Sequence, residues 1–245
     1  MTKYVLKRSL QSILTLWIVI TVVFLLMRLM PEEGYFGTGF EKLDDMQKEA
    51  ILKSMGLRDP IHIQLKNFYS QLLRGDLGTS IIYRPNVKIN DILAEKIPYS
   101  VWLGLSSVFI SMIFGIFVGI QMARNKNGIL DRLGTLYIVV INAVPAAVYY
   151  LFIQLYMTKY FDLPILFDVE KPQSWILPII SMSLGSISSY AMWMRRYMVD
   201  ELNKDYIKLA RAKGMKNKKI MTCHVLRNAL VPMVQYFPAS ILFAI

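Results

Sequence analysis

Five stretches of this chain carry no charged side chain, and each is long enough to cross a lipid bilayer: Ser9 to Met27, Ile97 to Ala123, Leu133 to Thr158, Pro172 to Met194, and Asn228 to Ile245. A helix of about 20 residues rises about 30 Å, the thickness of the hydrocarbon core. A soluble protein can bury one such helix, but five within 245 residues leave too little polar chain to cover them in water. In lipid every backbone N–H and C=O must be satisfied within the protein, which a helix does locally. The expected fold is therefore all-α, a polytopic helical membrane protein with five spanning segments in this chain. Composition agrees, with 55% hydrophobic residues, too apolar for a disordered chain. The single cysteine, Cys223, excludes a disulfide scaffold. The first stretch follows Lys3, Lys7 and Arg8 and ends in Leu25-Leu26-Met27-Arg28 rather than in a small-x-small cleavage site, so it reads as a retained anchor.

The net charge of +11 is distributed unevenly. With the N-terminus in the cytoplasm, the inner segments hold 16 basic groups against Asp131, Asp200, Glu201 and Asp205, while 12 basic and 13 acidic groups fall outside. Short loops rich in Lys and Arg stay inside, so this orientation is the expected one, and it accounts for the basic balance without nucleic acid. Three regions follow: residues 1–30 as cytoplasmic N-terminus and first span, 31–98 as an extracytoplasmic segment, and 99–245 as a transmembrane core with an inner loop at 195–229. The outer segment has helical spacing at Leu43, Met46, Ala50 and Ile51. It is expected to fold as a small cap.

The chemistry of catalysis is missing. The two histidines, His62 and His224, fall on opposite sides of the membrane and cannot share a metal or a substrate. Gly104-Leu105-Ser106-Ser107 lies in a span with no histidine to deprotonate Ser106, and no phosphate-cradling G-x-x-x-x-G-K-S/T sequence is present. None of the five stretches holds an ionisable relay group; Asn142, Gln121, Gln154 and Gln235 are polar without titrating. Gly115 and Gly119, with the small residues of 181–191, favour close helix packing; Asn142, Ser183, Ser186 and Gln235 are alternative candidates for lining a solute path. Pro145 permits a kink in the third span.

The inner loop runs from Asp205 to Pro232. A first helix over roughly 200–213 presents Tyr206, Leu209, Ala210 and Lys213 on one face, Gly214 supplies a left-handed turn, and Asn217 is a candidate N-cap for a second helix. Lys218 and Lys219 would then sit in a first turn, where the macrodipole disfavours cations. Fixing topology, contacting lipid headgroups and docking an acidic partner are all open explanations for them.

Ala210-Arg-Ala-Lys-Gly214, followed by His224, Arg227-Asn-Ala-Leu and Pro232, resembles the cytoplasmic docking loop of ABC importer permeases of the dipeptide/oligopeptide/nickel branch. Gly56-Leu-Arg-Asp-Pro-Ile with Gln64, Arg74-Gly-Asp-Leu-Gly-Thr-Ser80, Pro98, and Asp131-Arg132 are similar to the first, "B-type", permease of that branch. Glu32-Glu33-Gly34 stands where the family often has Gly-Asp-Pro. The resemblance implies a type I importer permease in a bacterial or archaeal cell membrane, non-catalytic, importing oligopeptides or dipeptides, with nickel or chelated-metal import as an alternative within the same architecture. A non-transporting membrane anchor or signalling subunit is the alternative from another class. It also implies a second, homologous permease, two ATPases that bind ATP and Mg while this chain binds no cofactor, and an extracytoplasmic solute-binding protein. The docking set it points to is Tyr206, Leu209, Ala210, Arg211, Ala212, Gly214 and His224. Six spans are expected in the family against five here, so the expectation is either a sequence incomplete at its C-terminus or a naturally truncated, defective product.

Overall fold

A computed structural model describes residues 2–36 and 43–244. Among these the regular structure is helical, apart from one isolated antiparallel bridge between Thr79 and Lys88. The chain divides into two compact units at Glu95 and Lys96.

The first unit begins with α1 (Thr2–Arg28), whose side chains are exposed over most of its length, as a lipid-facing helix requires. Near its end it is held by α3 (Ile61–Leu73): Phe24 is buried against Phe68 with ring centroids 4.9 Å apart, and the Thr21 and Tyr69 hydroxyls lie 2.7 Å from each other. Helix α2 (Asp45–Ser54) starts at a capping box in which Gln47 accepts from the Asp44 backbone N–H at 3.1 Å. Its buried residue is Leu52, whereas Met46 is 81% exposed. The apolar face expected at Leu43, Met46, Ala50 and Ile51 is thus rotated toward Ile51 and Leu52. Arg58 clamps Glu49 and Glu32, each at 2.7 Å, and its hydrogen bonds hold the Glu49 carboxyl below the usual carboxylate range. Residues 37–42 of the outer segment lie outside the described residues.

Helix α4 (Ile89–Arg124) crosses the division, and Pro98, expected to precede the second span, lies within it. In the second unit the organising element is α7 (Ile176–Leu202), which packs against α5 (Ile129–Ala143), α6 (Ala146–Phe161) and α10 (Leu226–Ala244). Gly115 and Gly119 bring α4 so close that a Cβ on them would stand 2.5 Å from Tyr190 Cβ and 2.7 Å from the Ala191 carbonyl oxygen. The small-residue pair is therefore a packing seam. The third stretch is a broken span rather than one straight helix: α5 and α6 meet at 105°. Pro145 lacks the N–H that would continue α5 and pushes Val144 into an extended conformation, φ −93° and ψ 127°.

Among the described residues three helices are long and apolar enough to cross a membrane, and a fourth span results if the bent pair is counted as one. The fifth stretch forms α10, which carries Pro232 and Pro238 within it. Ile245 lies outside the described residues.

Candidate functional site

Helix α7 runs past the expected start of the inner loop as far as Leu202, and α8 (Asp205–Ala212) follows with Lys204 as its N-cap. The first loop helix is therefore shorter than the expected 200–213. It ends in a Schellman motif: the Met215 N–H donates to the Ala210 carbonyl at 3.2 Å, the Gly214 N–H donates to the Arg211 carbonyl at 2.9 Å, and Gly214 has φ +72°. Gly56 and Gly75 end α2 and α3 in the same way.

Of the face expected at Tyr206, Leu209, Ala210 and Lys213, α8 keeps Tyr206 and Leu209 exposed and turns Ala210 inward. Ile207 and Ala210 are buried, in one apolar cluster with Ala123 of α4, Met194 and Met198 of α7, and Ala229 and Met233 of α10. Burying an isoleucine fully contributes about 2 to 3 kcal/mol, so α8 is seated on the bundle. Leu209 is 56% exposed, and Ala212 and Lys208 share its outward side. Tyr206 bridges two elements: its hydroxyl donates to Glu201 at the end of α7 and accepts from Asn228 Nδ2 of α10 at 2.7 Å. Burial raises the Tyr206 pKa, with the Glu201 hydrogen bond acting in the same direction. Arg211 is exposed on the flank of α8 nearer the bundle.

Beyond Gly214 the chain re-enters a helix at α9 (Asn217–Lys219), where Lys216 and not Asn217 holds the cap position and no side-chain cap bond forms. The next six residues, Ile220–Val225, are a π-helix that continues into α10. Ile220 and Val225 are both buried while Cys223 is exposed and His224 half-buried. Five residues span roughly 140° on an α-helix, so the π turn is what brings these two side chains to one face.

The described residues also place together a pair that sequence reasoning gave no chemical role. Asp131, 3% exposed at the start of α5, accepts from Arg195 Nε at 2.5 Å and NH2 at 2.8 Å, and from the Asn127 N–H at 2.9 Å. This two-pronged pair ties the α4–α5 turn to α7 about two turns before that helix ends at Leu202. The sequence marks Asp131 as one carboxylate at the edge of a span among cations, but does not name Arg195 as its partner.

The four path candidates separate. Asn142 donates to Ser188 Oγ at 3.1 Å and to the Ile138 carbonyl, joining α5 to α7, whereas the buried Ser183 donates its hydroxyl to the Ile180 carbonyl within α7 and its own carbonyl accepts from Ser111 Oγ of α4 at 3.1 Å. Ser186 lines a recess of about 200 Å³ with Gly185, Ser189, Tyr190, Tyr236 and Ser240. Gln235 is exposed and does not line it.

A family described as "Binding-protein-dependent transport system inner membrane component" matches residues 111–245, and its N-terminal companion matches residues 1–104. The chain belongs to this family. It is a non-catalytic, multi-pass component of an inner membrane transport system. It is 33% identical to the dipeptide transport system permease of Lactococcus lactis subsp. cremoris (strain MG1363) over 236 residues, 96% of this chain and 76% of that protein. The glutathione transport system permease of Salmonella typhimurium (strain LT2) is 33% identical over 235 residues, with the same shares covered. The oligopeptide transport system permease of Escherichia coli (strain K12) is 32% identical over 243 residues, covering 96% of this chain and 77% of the relative.

Proposed function

We propose that this chain forms half of the translocation pathway of an ATP-driven importer of short peptides, paired with a second homologous permease beneath a solute-binding protein. Its N-terminus and residues 195–229 face the cytoplasm, and α8 docks on one of two ATPases that bind ATP and Mg; the chain itself holds no cofactor. The observation that carries this reading is the seating of α8. Ile207 and Ala210 fix it in the cluster that also holds α4, α7 and α10, while Leu209 and Ala212 remain exposed. A displacement applied to that outer face therefore reaches the spanning helices through packed side chains, as a switch between two pathway states requires. Peptide as solute rests on the three named relatives, and the uncharged hydroxyl lining of the Ser186 recess suits a polar backbone without selecting a side-chain charge.

The test is reconstitution of the chain with its second permease, ATPases and solute-binding protein in proteoliposomes. ATP-dependent uptake of a short peptide is expected, and Leu209→Glu is expected to lower both ATPase retention and uptake at least tenfold while membrane abundance is kept. Wild-type uptake in that variant would remove α8 as the docking element, and absence of peptide uptake in the wild type would remove the solute assignment.

A further inference from the structure

We infer that the side of the second unit bearing the docking helix carries a binding site for the phosphodiester headgroup of an anionic lipid. Where α4 ends, a recess of about 300 Å³ opens between the α4–α5 turn, the end of α7, and α8 with the π segment. Arg124 and Lys126 come to it from the first, Arg211 from α8, over a floor that includes Ala123, Leu202 and Ile220. Three cations converge on a space whose lining contains no carboxylate. None of the three forms an ion pair within 4 Å among the described residues: Lys126 acts on Asp131 only at longer range, and that carboxylate is held by Arg195, as Asp205 is by Lys208 and Glu201 by Tyr206. Like charges that line one recess repel one another, and an anion between them relieves the repulsion.

The depth fits a headgroup. Arg124 is the last residue of a helix apolar enough to span, so its guanidinium stands where hydrocarbon gives way to the polar layer. The half-buried side chains of Leu202 and Met221 beneath a cationic rim match the junction of glycerol, phosphate and first acyl carbons, whereas a free phosphate ion would gain nothing from them. Arginine supplies the forked donors that phosphate oxygens accept. Such a lipid would join Arg124 on a spanning helix to Arg211 on α8, adding a charged bridge to the apolar packing that already seats the docking element on the bundle. This placement also separates Arg211 from the outward face of Leu209 and Ala212.

The experiment uses the full chain purified in neutral detergent and offered phosphatidylglycerol or phosphatidylcholine, with bound lipid counted by native mass spectrometry. Wild type is expected to retain phosphatidylglycerol, and the triple variant Arg124→Gln, Lys126→Gln, Arg211→Gln to fall to the phosphatidylcholine level, about fivefold in affinity per cation removed. The charge-keeping Arg124→Lys, Arg211→Lys variant is expected to hold most of the preference, which guards against loss by misfolding. Lys218→Gln, Lys219→Gln removes two exposed cations outside the recess and is expected to change little. An unaltered preference in the triple variant, or an equal loss in the Lys218 and Lys219 variant, would overturn the site in favour of diffuse surface charge. Displacement of the lipid by millimolar inorganic phosphate would assign the recess to the free ion. Loss of ATPase copurification in the triple variant with lipid binding intact would make it a protein-docking surface.

Discussion

Asp131 shows how much one carboxylate can organise. It is buried, and its two oxygens accept from Arg195 and from the Asn127 backbone, so removing it strands a guanidinium against the bundle. Breaking a fully buried pair costs about 3 to 5 kcal/mol. The Arg195 side chain is 30% exposed and partly reached by water, which lowers the expectation to about 1 to 2 kcal/mol. Asp131→Ala should lower the thermal midpoint of the purified chain accordingly, and Asp131→Ala with Arg195→Met should be less damaging than the two single effects added. Strict additivity would mean that the pair contributes nothing. Gly214 poses a different residue-scale problem, because no atom lies within 4 Å of where its Cβ would be. Valine there pays only for its backbone at φ +72°, about 1 to 2 kcal/mol. Gly214→Val should leave membrane abundance unchanged and weaken ATPase copurification several-fold, whereas Lys218→Gln with Lys219→Gln should not. Equal behaviour of the two would reduce the loop to a topology signal. The glycine was legible from its place after an apolar helical repeat; the Asp131 pair was not, because its partner stands 64 residues away.

At the scale of elements, local pattern announced the helices and left their ends and faces open. The third stretch has no charge to mark a break, so its 105° bend is carried by Pro145 alone, and composition by itself cannot distinguish a kink from two helices. Gly115 and Gly119 signalled close packing, but only the structure names α7 as their partner. The docking helix was expected to present Tyr206, Leu209 and Ala210 together; packing against α7 and α10 instead selected Ile207 with Ala210. The π segment is the clearest departure. Its buried residues are Ile220, Val225, Ala229 and Met233, a spacing of five, four and four. A regular α-helix from Ile220 would bury positions 223 and 224 and expose 225. Native Cys223 should therefore react readily with a thiol reagent, while a cysteine introduced by Val225→Cys in a Cys223→Ser background should be protected. Val225→Asp should cost about 3 kcal/mol or more by burying a carboxylate, and Cys223→Asp little. The reverse labelling pattern would mean a continuous α-helix through 220–225.

For the whole molecule the deciding quantity is where charge is allowed to go. Carrying a Lys or Arg through the centre of a bilayer costs about 2.5 to 3.5 kcal/mol on insertion scales, so the 16 basic groups of the proposed inner segments form a barrier that no other distribution in this chain matches. The outer segments, with 12 basic and 13 acidic groups, present almost no net charge to be held back. In the proposed orientation this asymmetry, rather than any single loop, is what would hold the chain, because individual cations such as Lys3 and Lys7 act only within about 15 to 20 residues of a span end. Two positions that are exposed on their own helices read it out: Asp45 at the start of α2 and Asn217 at the start of α9. In a Cys223→Ser background, a cysteine replacing Asp45 should react with a membrane-impermeant thiol reagent in intact cells, and one replacing Asn217 should react only after the membrane is opened. Because both sites are open to water, a failure to label reports sidedness and not burial. Labelling of Asn217→Cys in intact cells, with Asp45→Cys protected, would invert the chain in the membrane and with it place α8 out of reach of any cytoplasmic ATPase.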